Sequence, residues 1–284
     1  MLSMNRLLEI QKKVVPDVLE TLEKRYRILQ LIRSTQPIGR RSLTQMIGMT
    51  ERIVRSQTDF LKEQGLLNFS RSGMSLSPEG EKLLTDMDQF IKEWFGLTDL
   101  EEQLRNKLNL SRVIITPGDS AKSVWIKKDL GRVAVNQLKE LVEEECIVAV
   151  GGGTTMAEVA DAMYPHPKFK NLHFVPARGG LGEKLEIQAG TICSKMAARS
   201  GGNYRLLHVP DPLTKESYQS LLNDPQIDEI VSLIRSARII IHGIGKAQTM
   251  ARRRNAKFEL MEELNRRGAM AEAFGYYFNH EGKV

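Results

Sequence analysis

Short apolar runs alternate with helical stretches from residue 111 onward, and this alternation constrains the fold of most of the chain. The runs predict strands at residues 112–116, 146–150, 172–176, 204–209 and 238–242. Because strands that alternate with helices usually pair in parallel, the region is predicted to form an α/β domain with a largely parallel sheet. Ligands of such sheets bind beyond the carboxyl ends of the strands, so the residues after each run are the candidate site residues.

The second strand runs into a glycine-rich segment, GGGTTMAEVADAM, at residues 151–163. Glycines such as Gly152 and Gly153 let a backbone approach a ligand closely. Thr154 and Thr155 then open a helix whose free N–H groups favour an anion, and their hydroxyls are further donors. The spacing matches neither the dinucleotide nor the nucleoside-triphosphate glycine motif. A tight strand-to-helix turn without a ligand is the alternative interpretation.

Two further strand ends share this glycine-rich character. After the third strand, PARGGLGEKLEIQAGT contains Arg178, whose planar fork suits phosphate, then Gly179, and then Gln188, whose amide suits sugar hydroxyls. After the fifth strand, HGIGKAQTMARRR ends in three arginines, for which a solvated helix face is the alternative. Three such ends in one sheet together indicate a small anionic ligand, and we expect a phosphorylated one.

Two isolated residues of this region have competing interpretations. Glu272 lies in the apolar run GAMAEAFGYYF and is expected to be a buried carboxylate that either faces ligand hydroxyls or serves the structure alone. Cys193 lies on a predicted helix without a base nearby in sequence, and we interpret it as a packing residue.

Positive charge is concentrated at the N-terminal end. Residues 1–75 contain 13 Lys/Arg and 7 Asp/Glu, a difference of +6 that equals the net charge of the whole chain. A basic region on a neutral body indicates a polyanionic partner. From the charge alone, a solvated basic face is an equal alternative.

The same region carries a helix-turn-helix pattern. Apolar spacing predicts helices at 18–33 and 40–47, Gly48 allows a tight turn, and Thr50 caps a further helix that ends near Gln64. In such motifs the first turns of that last helix enter the major groove of double-stranded DNA. The expected contacts to bases are Thr50, Arg52, Arg55, Ser56 and Gln57, and those to phosphates are Arg40 and Arg41.

Residues 66–77 predict a β-hairpin with its turn at Ser72-Gly73, which is the wing of a winged helix-turn-helix; a generic three-helix fold is the alternative. A connecting helix follows, and its apolar stripe either packs on the winged domain or pairs with a partner chain. We favour the pairing, and with it a homo-oligomer. The members of the stripe are Leu83, Leu84, Met87, Phe90, Ile91 and Trp94.

Several classes of protein are disfavoured by the sequence. No apolar run reaches the length of a membrane span, and the first residues lack the features of a signal peptide. Cys146 and Cys193 have no metal-type spacing and the histidines are scattered, so we expect no metal site and a cytoplasmic location.

Together these motifs resemble the SorC family of bacterial sugar-responsive regulators. The resemblance covers essentially the whole chain and is most specific in QPIGRRSLTQMIGMTERIVR, VAVGGGTTMAEVA, VPARGGLGEKLEIQAGTICSKMA and GAMAEAFGYYFN. It implies a winged helix-turn-helix domain at residues 1–105 and, at 106–284, an effector and oligomerisation domain related to sugar-phosphate isomerases and deaminases. It places effector contacts on Gly152, Gly153, Thr154, Thr155, Arg178, Gly179, Gln188, Arg253 and Glu272.

The resemblance also implies a mechanism. The members most similar to this chain repress glycolytic genes, bind an operator as tetramers, and take fructose 1,6-bisphosphate as inducer. Family members continue beyond a segment like NHEGKV, residues 279–284, into a strand end with a lysine that contacts effector. That segment is absent here, so we expect a truncated C-terminal domain whose sheet lacks its last strands and whose effector site is incomplete.

Two other functions remain as alternatives. A sugar-phosphate isomerase or deaminase would need a general base over the sugar, and no Asp/His pair stands beside the glycine loops. A pure oligomerisation scaffold would leave three glycine-rich loops unexplained. We therefore expect an allosteric DNA-binding regulator without catalytic residues.

Overall fold

The computed structural model describes residues 14–94, 96–121, 124–179, 184–207, 209 and 215–284. The chain separates into two compact units that divide after Ile126. The first unit carries the predicted helix-turn-helix and the second carries the predicted parallel sheet. Nowhere in the described ranges is a helix both long and apolar enough to cross a bilayer.

The core of the first unit is formed by α1 (Pro16–Thr35), α2 (Arg40–Ile47) and α3 (Glu51–Glu63). Gly48 ends α2 in the left-handed conformation, with φ at 70°, and turns the chain toward α3. Thr50 caps α3, because its hydroxyl accepts the Ile53 N–H at 3.4 Å. The predicted helix-turn-helix is confirmed, with bounds within two residues of those expected.

A hairpin follows, in which strand β1 (Leu67–Ser70) pairs antiparallel with β2 (Gly73–Leu76). Gly73 is required at its turn, because a Cβ there would lie 2.7 Å from the backbone carbon of Ile38. Ile38 itself bridges Met74 and extends the hairpin. The predicted wing is confirmed, and Ile38 is a partner that the sequence did not reveal.

Helix α4 (Pro78–Trp94) is the predicted connecting helix. Its residues Leu84 and Ile91 are buried in the same core as the helix-turn-helix, so these two pack on the winged domain and not on a partner chain. The side chains of Phe90 and Trp94 lie outside what the structure describes.

Helix α5 (Leu97–Leu108) is followed by a segment without regular secondary structure. The strand predicted at 112–116 does not form, so that prediction was wrong. The Ile115 N–H donates to the carboxylate of Glu101 on α5 at 2.6 Å. This backbone therefore satisfies its polar group with a side chain instead of a neighbouring strand.

The second unit is built on a parallel sheet formed by β3 (Ile147–Val150), β4 (His173–Pro176), β5 (Asn203–Tyr204) and β6 (Ile239–Ile241). The strands lie in the order β5–β4–β3–β6. The predicted parallel sheet is confirmed, but the strand expected at 204–209 is much shorter. Pro176, which ends β4, has no N–H to continue the ladder toward β5. His208, within that expected strand, lies outside the described residues.

Helices and short turns connect these strands. They are α6 (Val124–Leu141), α7 (Thr154–Ala162), α8 (Ala189–Ser200), α9 (Lys215–Leu222) and α10 (Pro225–Arg235), with 3-10 turns at Pro167–Phe169 and Leu185–Ile187. Residues of β3, β4, α7 and α8 form a common core, in which Cys193 is fully buried. Burial raises the pKa of the Cys193 thiol, so the neutral side chain packs as predicted.

A second, antiparallel sheet was not predicted. It consists of β7 (Gly245–Lys246), β8 (Ala269–Ala273) and β9 (Tyr276–Asn279), with helices α11 (Ala247–Arg253) and α12 (Phe258–Arg266). The register pairs Gly245 with Glu272. This pairing brings the apolar run around Glu272 to the glycine-rich segment that follows β6.

Candidate functional site

A pocket opens at the carboxyl ends of β3, β4 and β6, where ligands of parallel sheets are expected. Its volume is about 150 Å³, the space of several water molecules, which suits a small molecule. The structure brings together all the residues that the sequence proposed for effector binding. They are Gly152, Gly153, Thr154, Thr155, Arg178, Gly179, Gln188, Arg253 and Glu272.

The N-terminus of α7 supplies one wall. Its first helical bond runs from the Ala157 N–H to the Gly153 carbonyl at 3.0 Å, so the N–H groups of Thr154, Thr155 and Met156 have no helical acceptor. Such groups at the positive end of a helix dipole favour an anion. The Gly153 N–H is already used, since it donates to the Ile187 carbonyl at 2.9 Å.

The glycines before α7 allow close packing. A Cβ on Gly152 would lie 2.8 Å from the Ile187 carbonyl oxygen, and Gly153 has a φ of 118°. Both positions therefore exclude side chains, one by contact and one by conformation. As a result the loop after β3 lies directly against the turn that precedes α8.

A second helix N-terminus borders the same pocket. Gln188 is the N-cap of α8, and its carbonyl accepts the Ile192 N–H at 3.0 Å in the first helical bond. Gln188 and Ala189 both line the pocket. Two helix N-termini thus adjoin one cavity, which strengthens its preference for negative charge.

Arg178 reaches the pocket from the end of β4, across the turn between β8 and β9. A Cβ on Gly275 would lie 1.9 Å from its guanidinium Nη1, and Gly275 has a φ of 87°. The glycine makes room for the guanidinium directly over the backbone. Gly179 is similarly restricted, because its Cβ would lie 2.6 Å from the Val209 carbonyl oxygen. The rest of this glycine-rich loop, residues 180–183, lies outside the described residues.

The run of three arginines divides in the fold. Arg252 is exposed and does not border the pocket, whereas Arg253 and Arg254 both do. Arg254 forms a buried salt bridge, in which its Nη2 lies 2.9 Å from Oε1 of Glu272. The resemblance placed the effector contact on Arg253 and not on Arg254, because adjacent identical residues give no signal about which one turns inward.

Glu272 is only 4% exposed and fits both of its predicted roles. It borders the pocket, and its Oε1 also accepts the Gly275 N–H at 2.5 Å and the Arg254 guanidinium. Burial opposes the charge on Arg254, but Glu272 and Tyr277 outweigh it through hydrogen bonds and charge, and they raise the pKa of Arg254. The Arg254 guanidinium therefore stays charged inside the protein.

Other residues near the pocket were not predicted. The rings of His242 and Phe274 lie 4.2 Å apart, and both residues border the cavity. The Lys127 ammonium on α6 lies 3.2 Å from the Thr154 hydroxyl. No sequence motif links Lys127 to Thr154, because the contact arises from the packing of two helices.

The electrostatics of the pocket favour an anion. Of the residues described, three guanidinium groups and one carboxylate border it, together with the two helix N-termini. No cluster of three or more metal-ligating side chains occurs within the described part of the chain. The arrangement suits recognition of phosphate by fixed donors.

The residues proposed for DNA contact differ in their exposure, unlike the effector residues, which all border one pocket. Arg41, Thr50, Arg52, Arg55 and Ser56 are exposed on α2, on α3 or at its cap, and Arg55 pairs loosely with Glu51 at 3.3 Å.

Two others turn back toward the protein. Arg40 pairs with Asp59, and the Gln57 amide oxygen accepts the Arg25 Nε–H at 2.8 Å. The Arg25 guanidinium carbon also lies 3.7 Å from the centroid of the Phe60 ring. Arg25 thus packs on α3, and its hydrogen bond orients the Gln57 side chain toward α1. The structure therefore brings five of the seven residues to an exposed face and assigns Arg40 and Gln57 to intramolecular contacts.

Two family profiles match the chain. Residues 21–91 match "CggR N-terminal DNA binding domain", and residues 92–284 match "Putative sugar-binding domain". The chain is 49% identical over 282 residues to a central glycolytic genes regulator of Priestia megaterium, an alignment that covers 99% of this chain and 82% of that protein.

Solved structures are similar as well. A SorC family transcriptional regulator from Enterococcus faecalis is 42% identical, with a TM-score of 0.61 over 66% of this chain and 76% of that one. The full-length sorbitol operon regulator SorC from Klebsiella pneumoniae shares the fold, with 16% identity and a TM-score of 0.62 over 92% of this chain and 80% of that one. These relatives are named regulators and not enzymes, which argues against the isomerase or deaminase alternative.

Proposed function

We propose, on the premise that the chain belongs to the SorC family of DNA-binding transcriptional regulators, that it controls glycolytic genes in response to a sugar phosphate. Fructose 1,6-bisphosphate is the first candidate for the effector. The chain acts as a repressor in this proposal, and effector weakens its cooperative binding to an operator. Its place of action is the cytoplasm, where DNA and sugar phosphates meet.

One observation carries the effector half of the proposal. Thr154 and Arg178 follow two strands of the parallel sheet and Glu272 lies on β8 of the second sheet, yet all three border one pocket with two helix N-termini. Helix N–H groups and guanidinium forks recognise phosphate oxygens, and a buried carboxylate accepts hydrogen bonds from sugar hydroxyls. A phosphorylated sugar offers both kinds of group, whereas a simple anion offers only the first.

The DNA half rests on the exposed face of α3. Arg52, Arg55 and Ser56 are exposed there, in the part of the helix that enters the major groove in other helix-turn-helix proteins. Exposed Arg41 on α2 is placed to contact phosphate. We propose 1–105 as the DNA-binding domain and 106–284 as the effector and oligomerisation domain, with a dimer or tetramer as the active form.

Titration calorimetry of the chain with fructose 1,6-bisphosphate, glucose 6-phosphate and dihydroxyacetone phosphate tests the effector. Thr154→Ala and Arg178→Ala should each weaken binding about 10-fold or more, because each removes a donor to a charged ligand. Arg252→Ala is the matched control, since Arg252 adjoins the site in sequence but does not border the pocket. Absence of binding to all three compounds would contradict the proposal.

The operator half needs a separate measurement. Fragments from upstream of glycolytic genes should shift with the protein in a gel, and saturating effector should reduce that shift. Affinity should fall steeply with salt because lysine and arginine contacts to phosphate release counterions. Equal binding to an unrelated fragment at physiological salt would contradict a specific operator.

A further inference from the structure

Lys127 lies on the first turns of α6 with its side chain half-buried. Its ammonium is 3.2 Å from the Thr154 hydroxyl oxygen, which borders the pocket. Among the residues that the structure describes, no carboxylate pairs with this lysine. A half-buried cation without an acidic partner costs free energy, so its presence here calls for an explanation.

Close packing of two helices sets this contact. Gly131, one turn further along α6, lies so near α7 that a Cβ would be 2.5 Å from the Glu158 carbonyl oxygen. Residues four apart on a helix share a face, so Lys127 points toward α7 together with Gly131. The ammonium therefore reaches the N-terminal end of α7 instead of bulk solvent.

The location is electrostatically unfavourable for a cation in the absence of a ligand. The N-terminus of α7 carries the positive end of the helix dipole, and Arg178, Arg253 and Arg254 border the same pocket. An anion bound in the pocket makes this location favourable for the Lys127 ammonium, because the anion is attracted to the ammonium, to the guanidinium groups and to the N-terminus of α7 at once.

The hydrogen bond has a directional consequence. A hydroxyl has one proton to donate and can accept two hydrogen bonds. An ammonium can only donate, so the Thr154 oxygen must accept from Lys127. The proton of the Thr154 hydroxyl is then left for a different acceptor.

We propose that Lys127 is a positioning residue of the effector site, which fixes the Thr154 hydroxyl as a donor toward an anionic group and supplies positive charge that a bound anion offsets. This inference rests on the proposed function, and it assigns the phosphate group of the effector to the N-terminus of α7. It also makes the site selective for phosphorylated over uncharged sugars.

The test compares Lys127→Met, Lys127→Arg and Lys139→Met in the full chain, with fructose 1,6-bisphosphate as the probe. Lys127→Met should weaken calorimetric affinity about 10-fold, the size of one lost charge-assisted hydrogen bond. Lys127→Arg should keep affinity within about threefold, because it retains a charged donor. Lys139→Met makes the same change at the other end of α6 and should leave affinity unaltered.

Thermal unfolding without ligand separates positioning from a purely structural role. Lys127→Met should unfold at the same temperature as the parent chain or a few degrees higher, because it removes a cation from the positive end of a helix. The rise in unfolding temperature on adding ligand should shrink. If Lys127 had a purely structural role, Lys127→Met would lower the unfolding temperature measured without ligand, and Lys127→Arg would not restore binding.

The outcomes are distinguishable. If the parent chain binds the sugar phosphate and Lys127→Met binds it equally well, the role of Lys127 is wrong and the proposed function stands. If Lys127→Met is less stable without ligand, the positioning role is also wrong. If the parent chain binds none of the sugar phosphates, the proposed function fails and this inference fails with it.

Discussion

The two units of the chain present their functional residues in opposite ways. In the first unit the candidate DNA contacts lie within a short stretch of sequence, and five of the seven are on an exposed face without distant partners among the described residues. In the second unit the pocket is assembled from strand ends more than a hundred residues apart, and a buried ion pair and close glycine contacts hold it. A surface assembled locally tolerates change better than a cavity assembled from remote segments.

The buried Arg254–Glu272 pair provides the largest test of this contrast. Glu272→Gln should destabilise the second unit by about 3 kcal/mol, because it leaves the Arg254 cation buried without its counter-charge. Chemical unfolding monitored for each unit measures the loss. Glu281→Gln, at the exposed pair with Lys283, is the control and should cost less than about 1 kcal/mol. Equal effects of the two changes would show that burial of the pair does not matter.

The glycine beside Arg178 provides the next test. Gly275→Ala should weaken effector binding about 30-fold, because the added Cβ forces the Arg178 guanidinium away from the pocket and removes a charged contact. Calorimetry with the sugar phosphate measures this. The control is Gly282→Ala, which has a similar φ of 76° but no atom within 4 Å of the added Cβ. Affinities that fell equally in both variants would indicate backbone strain and not displacement of Arg178.

The exposed face of the first unit should show a smaller and separable effect. Arg52→Ala should weaken operator binding about 10-fold and leave effector affinity unchanged, because one base or phosphate contact is lost. Gln57→Ala should weaken operator binding less than about threefold, since the Gln57 amide accepts a hydrogen bond from Arg25 and does not face outward. Gel-shift titrations at several salt concentrations compare them. A larger loss for Gln57 would mean that this side chain turns toward DNA in the complex.

Helix caps should give the smallest effects, each confined to one unit. Thr50→Ala should lower the stability of the first unit by about 0.5 kcal/mol, at the weak end for caps because its hydrogen bond is long at 3.4 Å. Asp224→Ala removes a shorter cap bond of 2.8 Å and should instead destabilise the second unit, by about 1 kcal/mol. Separate unfolding transitions would check this, and a shift of both transitions by either variant would mean that the units do not unfold independently.

Much of the fold was predictable because its signals are local. The helix at Arg40–Ile47, the Thr50 cap and the hairpin turn at Gly73 each follow from residues within a few positions of one another. The strand at 112–116 was predicted wrongly for the same reason. Its apolar pattern was suitable, but Glu101 supplied the hydrogen-bond partner that a neighbouring strand would otherwise provide.

The candidate site was predictable in type and only partly in detail. Glycine-rich strand ends and a parallel sheet sufficed to propose residues that the fold does bring to one pocket. Arg254 and Lys127 were missed, and Arg40 and Gln57 were proposed for DNA although each is engaged within the protein. In each case the deciding contact joins residues 18 or more positions apart in sequence.

The sequence by itself determined where the helix-turn-helix, the hairpin turn and most strands of the parallel sheet form, and that the chain combines a basic helix-turn-helix with a parallel sheet whose loops suit an anion. Apolar periodicity, caps and glycines act over a few residues, so they are readable along the chain. Only the tertiary structure decided which arginine turns inward, that Gly275 lies under Arg178, and that Lys127 meets Thr154. These contacts depend on sheet order and helix packing, which bring remote residues together and which no local pattern encodes.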